Sequence, residues 1–351
     1  YLSMDNFKKA IKGRGAGDNP ENRFVGLYVE TDEEHYSCPK TQFLTDHSKS
    51  AITRNDSPDI GFEYSFNPYR GCEHGCIYCY ARPTHEYLGY SAGFDFESKI
   101  MVKKDAPELL RKQLAHPKWK PQGIVLSGVT DPYQPAERKY ELTRACLKVL
   151  TDFRNPFSII TKNHLVTRDL DILAEMATHR GVKVNISVTT LDSELARVME
   201  PRTSAPERRL EAIRKLADAG VPVGVMVAPV IPALTDHEMP AIVKAAAEAG
   251  AETAGYVVLR LPFAVKDLFE DWLGNHFPDR KEKIISRVKD LRGGKMYDSK
   301  FGSRMRGEGE FANQMNQVFK MAVRKASLDK SSTPLSSKSF RNPDDKQLKL
   351  F

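Results

Sequence analysis

Residues 72–79 read Cys72-Glu73-His74-Gly75-Cys76-Ile77-Tyr78-Cys79, three cysteines separated by three and then two residues. Thiolates this close on one short loop can hold three corners of a cubane iron–sulfur cluster, because the loop aims all three sulfurs into one cavity. The fourth iron then has no protein ligand. An iron open to substrate or cofactor makes the missing fourth cysteine a chemical feature rather than an incomplete structural site. Gly71 and Gly75 suit such a loop, which needs unusual backbone angles and close approach. A structural zinc site or a fortuitous grouping is the competing reading. Zinc sites, however, use paired knuckles and four ligands, and His74 lies inside the tripeptide between two cysteines, a strained place from which to share one metal.

From residue 64 the chain alternates strand-like and helix-like stretches. Candidate strands are 65–70, 123–128, 157–161, 182–189, 221–228 and 255–260. Helical stretches at 105–115, 139–152, 167–179, 206–219 and 238–249 carry apolar residues three and four apart, as in Leu210, Ile213 and Leu216. Asp105 and Thr167 are candidate N-caps, and Gly181, Gly220 and Gly250 stand where helices should stop. Strands separated by single helices imply a parallel sheet in an α/β fold. Ligands of such sheets sit at the carboxyl ends of the strands. After residue 262 the alternation gives way to helices over 263–291 and 307–328, with Phe269 and Trp272 in the first. Between them run Arg292-Gly293-Gly294-Lys295 and Gly302-Ser303-Arg304-Met305-Arg306-Gly307, which read as a phosphate-binding loop or a plain linker. The expected organisation is a leader over 1–60, a core over 61–262, a helical extension over 263–328 and a disordered tail over 329–351. Phe24–Val29 is a candidate strand within an otherwise irregular leader.

The spacing Cys72-x3-Cys76-x2-Cys79, with Tyr78 before the last cysteine, resembles the radical S-adenosylmethionine (SAM) signature. The longer run Asn67-Pro68-Tyr69-Arg70-Gly71-Cys72 through Cys79-Tyr80-Ala81-Arg82 resembles the spore photoproduct lyase-like branch of that superfamily. Arg14-Gly15-Ala16, Asn19-Pro20 and Arg23-Phe24 resemble its leader. The resemblance implies a partial (β/α)6 barrel with a [4Fe–4S] cluster on Cys72, Cys76 and Cys79. It also implies SAM chelated at the open iron and cleaved to a 5′-deoxyadenosyl radical, and a flavodoxin- or ferredoxin-type electron donor.

Site residues should lie at the strand ends. Ser127, Gly128, Thr130 and Asp131 follow the second strand and can bond an ammonium or hydroxyl. By resemblance they replace the segment that receives the SAM amino group, with Asp131 departing from its glutamate. Lys162 closes the third strand and Ser187 lies on the fourth. Their chemistry fits a carboxylate and a ribose hydroxyl, the roles the resemblance implies, although an exposed lysine and a half-buried serine would look the same. Glu200-Pro201-Arg202 and Pro229-Val230-Ile231-Pro232 match family segments near ribose and adenine. Tyr78 and Tyr80 match tyrosines that flank the last cluster cysteine in spore photoproduct lyases and are candidates to relay hydrogen atoms, while Tyr78 equally suits packing under adenine. Those lyases carry a hydrogen-donating cysteine after the second strand, whereas residues 123–135 contain none. Cys146, beside Leu147 and Leu150, reads as a core residue.

Composition bounds the rest. The 351 residues include 53 Lys and Arg against 46 Asp and Glu, a net charge of +7 that permits a polyanionic partner such as DNA without requiring one. No apolar run approaches the ~20 residues that cross a bilayer, no signal peptide is expected, and only Cys38 and Cys146 lie outside the trio. A cytoplasmic protein without a disulfide framework is expected. The final Gln347-Leu348-Lys349-Leu350-Phe351 resembles the pentapeptide by which proteins dock on the bacterial sliding clamp, with Lys349 departing from it; a tail packed on its own domain is the competing reading. Enzymes of the same superfamily acting on a peptide or small metabolite, and a non-catalytic iron–sulfur module, are the alternatives to a nucleic-acid lesion as target.

Overall fold

Short runs of β-branched and apolar residues, such as Ile124-Val125-Leu126 and Phe157-Ser158-Ile159-Ile160-Thr161, form the centre of the molecule. The computed structural model describes residues 11–25, 40–329 and 333–345. The elements before the third parallel strand are β1 (Gln42–Thr45), β2 (Ile52–Arg54), β3 (Tyr64–Phe66), β4 (Tyr69–Arg70), α1 (Phe94–Ser98), β5 (Lys99–Val102), α2 (Ala106–Leu114), β6 (Ile124–Leu126), α3 (Glu137–Tyr140) and α4 (Leu142–Asp152). Next come β7 (Phe157–Thr161), α5 (Leu170–Thr178), β8 (Val182–Ser187), α6 (Ser193–Met199), α7 (Pro206–Asp218), β9 (Val223–Val230), α8 (Met239–Glu248) and β10 (Thr253–Val258). The extension holds α9 (Val265–His276), α10 (Lys281–Asp290), α11 (Ser303–Arg306) and α12 (Gly309–Lys325).

The main sheet has the order β10-β9-β8-β7-β6-β3-β2, in which β3 and β6 to β10 run parallel and β2 pairs antiparallel with β3. Six parallel strands with helical crossovers are the expected partial (β/α)6 barrel, open between β10 and β2. Val184 and Ile186 of β8, Val225 and Val227 of β9 and Leu147 and Leu150 of α4 are buried in one core. Cys146 is buried in that core as well. Through its buried Phe319, α12 packs against Tyr256 of β10, ring centroids 4.6 Å apart, and supplies the helix that the last strand would otherwise lack.

Several boundaries differ from the sequence reading, each for a local reason. The expected strand 65–70 is two strands, because Pro68 has no N–H for a ladder; β4 leaves the main sheet and joins β5 and β1 in a smaller one. The helix expected over 139–152 breaks at Glu141, whose φ is +49°. The one expected over 263–291 breaks at Phe277-Pro278, where proline ends the run. Asp105 precedes α2 without a capping bond from its side chain. Thr167 caps nothing: a 3-10 turn over His164–Asp169 precedes α5, and Asn163 caps that turn by accepting the Leu165 N–H. Gly220 and Gly250 do end their helices, at φ +71° and +99°, but α5 stops on Arg180 at φ +54° rather than on Gly181. Strand β8 ends at Ser187 and β6 at Leu126, short of 189 and 128.

The tail expected to be disordered is packed where it is described. Ser336 N–H donates to the Arg180 carbonyl and Arg341 N–H to the Phe153 carbonyl, both at 2.9 Å. Phe340 lies against Phe153 and Asp344 pairs with Arg111. These contacts run along the amino ends of the parallel strands. Residues 26–29 of the expected Phe24–Val29 strand, Cys38 and Gln347–Phe351 lie outside the described residues. No helix among the described residues is long and apolar enough to cross a membrane.

Candidate active site

The three-cysteine loop follows β4 and is held by a buried ion pair. Arg82, three residues after Cys79, is fully buried; it donates to the carbonyls of Cys76 (2.9 Å) and Gly93 (2.9 Å) and pairs with the buried Glu97. The Glu97 carboxylate also accepts the backbone N–H groups of Gly15 (3.1 Å) and Ala16 (2.8 Å), while Arg14 donates to the Glu97 carbonyl (2.8 Å). The leader is thereby fixed on the cysteine loop. A Cβ on Gly15 would stand 1.8 Å from the Gly75 carbonyl oxygen, so two backbones touch there and only glycine fits. Gln134 ties the loop to the chain after β6, accepting from Glu73 N–H (3.0 Å) and donating to the Gly71 carbonyl (3.1 Å).

All three cysteines are free thiols, Cys72 and Cys76 buried and Cys79 half-buried. Burial pushes each thiol up; Asp131 adds to this at Cys72 and Glu200 at Cys76, whereas Lys162 opposes it at Cys76 and Arg82 and Lys162 oppose it at Cys79. Thiolate here therefore needs bound iron as its counter-charge. Among the described residues no three His, Cys, Asp or Glu side chains converge on one metal-ion position. A cubane asks for a different arrangement, since each thiolate binds its own iron at a separate corner.

The strand ends bring the expected residues around this loop. Lys162 follows β7 half-buried, with its Nζ donating to the Ala228 carbonyl (3.2 Å) and standing 5.8 Å from the Tyr78 ring centre. Burial lowers its pKa, and the Cys76 thiolate acts against that. After β6, Ser127 and Gly128 take φ of +141° and +101°, which turns the backbone sharply at the end of the strand. The Ser127 hydroxyl donates to the Thr130 carbonyl (3.3 Å) and the Thr130 hydroxyl to the Tyr69 carbonyl (3.1 Å). Ser187 is buried at the end of β8. Tyr80 is 45% exposed at the rim and its phenol donates to the Gly128 carbonyl.

Two carboxylates read as cofactor ligands are occupied by the protein itself. Asp131 accepts the Thr161 hydroxyl (2.7 Å), Tyr133 N–H (2.8 Å) and Lys162 N–H (2.8 Å), and lies 3.4 Å from His74 Nδ1. His74 Nε2 lies 3.2 Å from the Asn163 amide nitrogen. Burial pushes His74 down to about 4, so it is neutral at pH 7, donating to Asp131 and accepting from Asn163. Glu200 is buried and accepts from Tyr78, Thr189 (2.8 Å) and the buried Arg209. Burial pushes its carboxyl up and Arg209 pulls it back. Asp131 and Glu200 therefore also position neighbours, Asp131 the Lys162 turn and Glu200 the Tyr78 ring. The sequence reading missed Arg82, Glu97, Gln134 and Arg209, all engaged in this scaffold. Only Arg82, just beyond the last cysteine, had a positional signal.

Residues 66–246 match the Radical SAM superfamily. The chain belongs to the radical SAM superfamily. This radical SAM enzyme is 37% identical over 260 residues to an uncharacterized protein of Mycobacterium tuberculosis, covering 72% of this chain and 75% of that one. It is 28% identical over 182 residues to the spore photoproduct lyase of Bacillus subtilis, covering 50% of this chain and 48% of that one. It shares the fold of a spore photoproduct lyase mutant with bound AdoMet and dinucleoside spore photoproduct, with a TM-score of 0.55 at 18% identity over 81% of this chain and 78% of that one. The superfamily's cofactors are a [4Fe–4S] cluster and SAM, and the residues present fit them. The thiols are free, the Gly15–Gly75 contact leaves no room for a side chain in the loop's support, and Lys162 is a half-buried cation 5.8 Å from the ring of Tyr78, which sits between two of the cysteines.

Glu97→Gln removes the carboxylate that compensates buried Arg82 and holds the leader. Leaving such a charge unpaired costs about 3–5 kcal/mol. Urea unfolding under anaerobic conditions is expected to show a loss of that order.

Proposed function

We propose that Cys72, Cys76 and Cys79 hold the [4Fe–4S] cluster, that SAM binds between it and the strand ends, and that the target is a nucleic-acid base or sugar, as in spore photoproduct lyase. The observation that carries the cofactor placement is Lys162, a half-buried ammonium 5.8 Å from the Tyr78 ring of the cysteine loop, with one carbonyl as its hydrogen-bond partner among the described residues. With both groups bound, reductive cleavage of SAM supplies a hydrogen-abstracting adenosyl radical.

The chain's own residues then have distinct tasks. Lys162 binds a carboxylate, and Ser187 a ribose hydroxyl. The Tyr78 ring, fixed by Glu200 and Arg209, forms a wall beside Lys162. The turn at Ser127, Gly128 and Thr130 offers oxygen acceptors for an ammonium, with Asp131 holding its far end. Tyr80, at the rim with its phenol on the Gly128 carbonyl, is the proposed hydrogen relay, regaining one hydrogen atom for each one it passes to the substrate. This assigns to a tyrosine the donor role for which residues 123–135 hold no cysteine. A flavodoxin- or ferredoxin-type protein is the proposed electron source.

Support for nucleic acid comes from the Bacillus subtilis relative and the net charge of +7. A sliding clamp is a proposed partner through Gln347–Phe351. The preceding residues 333–345 run along the amino ends of the strands, away from the cysteine loop.

Anaerobic reconstitution with dithionite and SAM should yield 5′-deoxyadenosine in the wild type and none after Cys72→Ala, Cys76→Ala and Cys79→Ala combined. Lys162→Ala should raise KM for SAM about tenfold or more, corresponding to ~1.4 kcal/mol of lost binding. Ultraviolet-irradiated DNA should stimulate the reaction; stimulation by a peptide or metabolite instead would overturn the nucleic-acid reading. No product from an intact, reducible cluster would overturn the catalytic one.

Deleting Gln347–Phe351 should abolish co-elution with a bacterial sliding clamp. Unchanged co-elution, or none with the full chain, contradicts that partner.

A further inference from the structure

The carboxyl end of β10 contributes a cation that the radical SAM chemistry leaves unused. Arg260 lies two residues beyond β10, on the same side of the sheet as the cysteine loop, and its guanidinium stacks on the Tyr80 ring at 4.8 Å from the centroid. Among the described residues its one hydrogen-bond partner is the Met305 sulfur at 3.7 Å, and its Nε is shielded from solvent with no partner at all. The side chain is half-buried, and a guanidinium N–H shielded from water without an acceptor is costly to leave so. The neighbouring arginines are differently placed. Arg304 pairs with Asp59, and buried Arg292 donates to the carbonyls of Leu259 (2.7 Å) and Ser303 (2.9 Å). Arg260 is thus a half-buried cation at this rim whose Nε has no acceptor among the described residues.

We propose that Arg260 anchors the substrate by binding a backbone phosphodiester of a single-stranded nucleic acid, holding the adjoining nucleotide against Tyr80. This rests on the function proposed above and specifies the form of substrate that its site admits. Three observations point to a phosphodiester within a strand rather than an isolated carboxylate. Arg presents several donors in a planar fork, which matches phosphate oxygens. Exposed aromatic rings flank the anchor: Phe263, three residues on, is 53% exposed and Phe301 is 58% exposed. Each is backed by a guanidinium, Arg23 at 3.6 Å from Phe263 and Arg304 at 4.6 Å from Phe301. Aromatic faces beside a cationic groove stack unpaired bases without regard to sequence. A paired duplex would present its bases to one another instead, so the surface favours a single strand.

The test uses the full chain with its cluster, and fluorescence anisotropy of a short labelled single-stranded oligodeoxynucleotide measured anaerobically across a range of KCl. Wild type should bind, with log affinity falling linearly in log salt. Arg260→Gln should weaken binding about tenfold and lower that slope by about one, the signature of one lost phosphate contact. Arg260→Lys should restore the slope, because the charge returns, and recover only part of the affinity, because the fork does not. If Arg260→Gln fails to retain its cluster, Arg260→Met takes its place, keeping an apolar stem against Tyr80. An unchanged slope and affinity in the neutral variant overturns the proposal, and so does equal affinity for the duplex of the same sequence. A wild type that forms 5′-deoxyadenosine but binds no oligonucleotide overturns this inference alone and leaves the SAM chemistry standing.

Discussion

The buried pair Arg82–Glu97 is the constraint on which the cysteine loop depends. Removing both charges from water costs several kcal/mol per ion, and the pair is tolerable only because nearly every remaining donor and acceptor is used. Arg82 satisfies the carbonyls of the loop from below, and Glu97 collects the leader's N–H groups from the other side. The consequence is geometric. Three sulfurs on a loop with two glycines would wander without support, and here the loop backbone is clamped between a guanidinium and a second strand of chain.

The same logic runs through the strand ends. Acidic residues near the cofactor surface are turned to internal bonds, Asp131 to the start of the Lys162 turn and Glu200 to Tyr78, Thr189 and Arg209. Their carboxylates fix the neighbours that face the cavity. Lys162 and Arg260 are cations with no carboxylate hydrogen-bonded to them among the described residues, and both stand beside aromatic rings on the open side of the sheet. A site built this way presents positive charge and ring faces to what enters it.

What was legible in the sequence was local. Three cysteines within eight residues specify a metal-cluster loop whatever surrounds them, and apolar runs such as Ile124-Val125-Leu126 announce buried parallel strands. The parallel sheet followed from strands alternating with helices. Illegible features depended on distant partners. Strand β5 shows no period-two pattern, since three of its four residues are buried, and Glu97 pairs with groups fifteen and more than eighty positions away. Residues 333–345 have the composition of a disordered tail, yet Phe340 and the backbone at Ser336 and Arg341 find partners on the core. The internal bonds of Asp131 and Glu200 were not legible, because sequence places a carboxylate without revealing which donors of the chain reach it.

The most direct test of the central claim, that this loop holds a cluster with one iron open to SAM beside Lys162, is anaerobic EPR of the reconstituted, reduced protein with and without SAM. The expected result is about four irons per chain and a reduced-cluster signal that changes when SAM is added, with Lys162→Ala requiring more SAM for the same change. An intact cluster whose signal is indifferent to SAM at any concentration would contradict it.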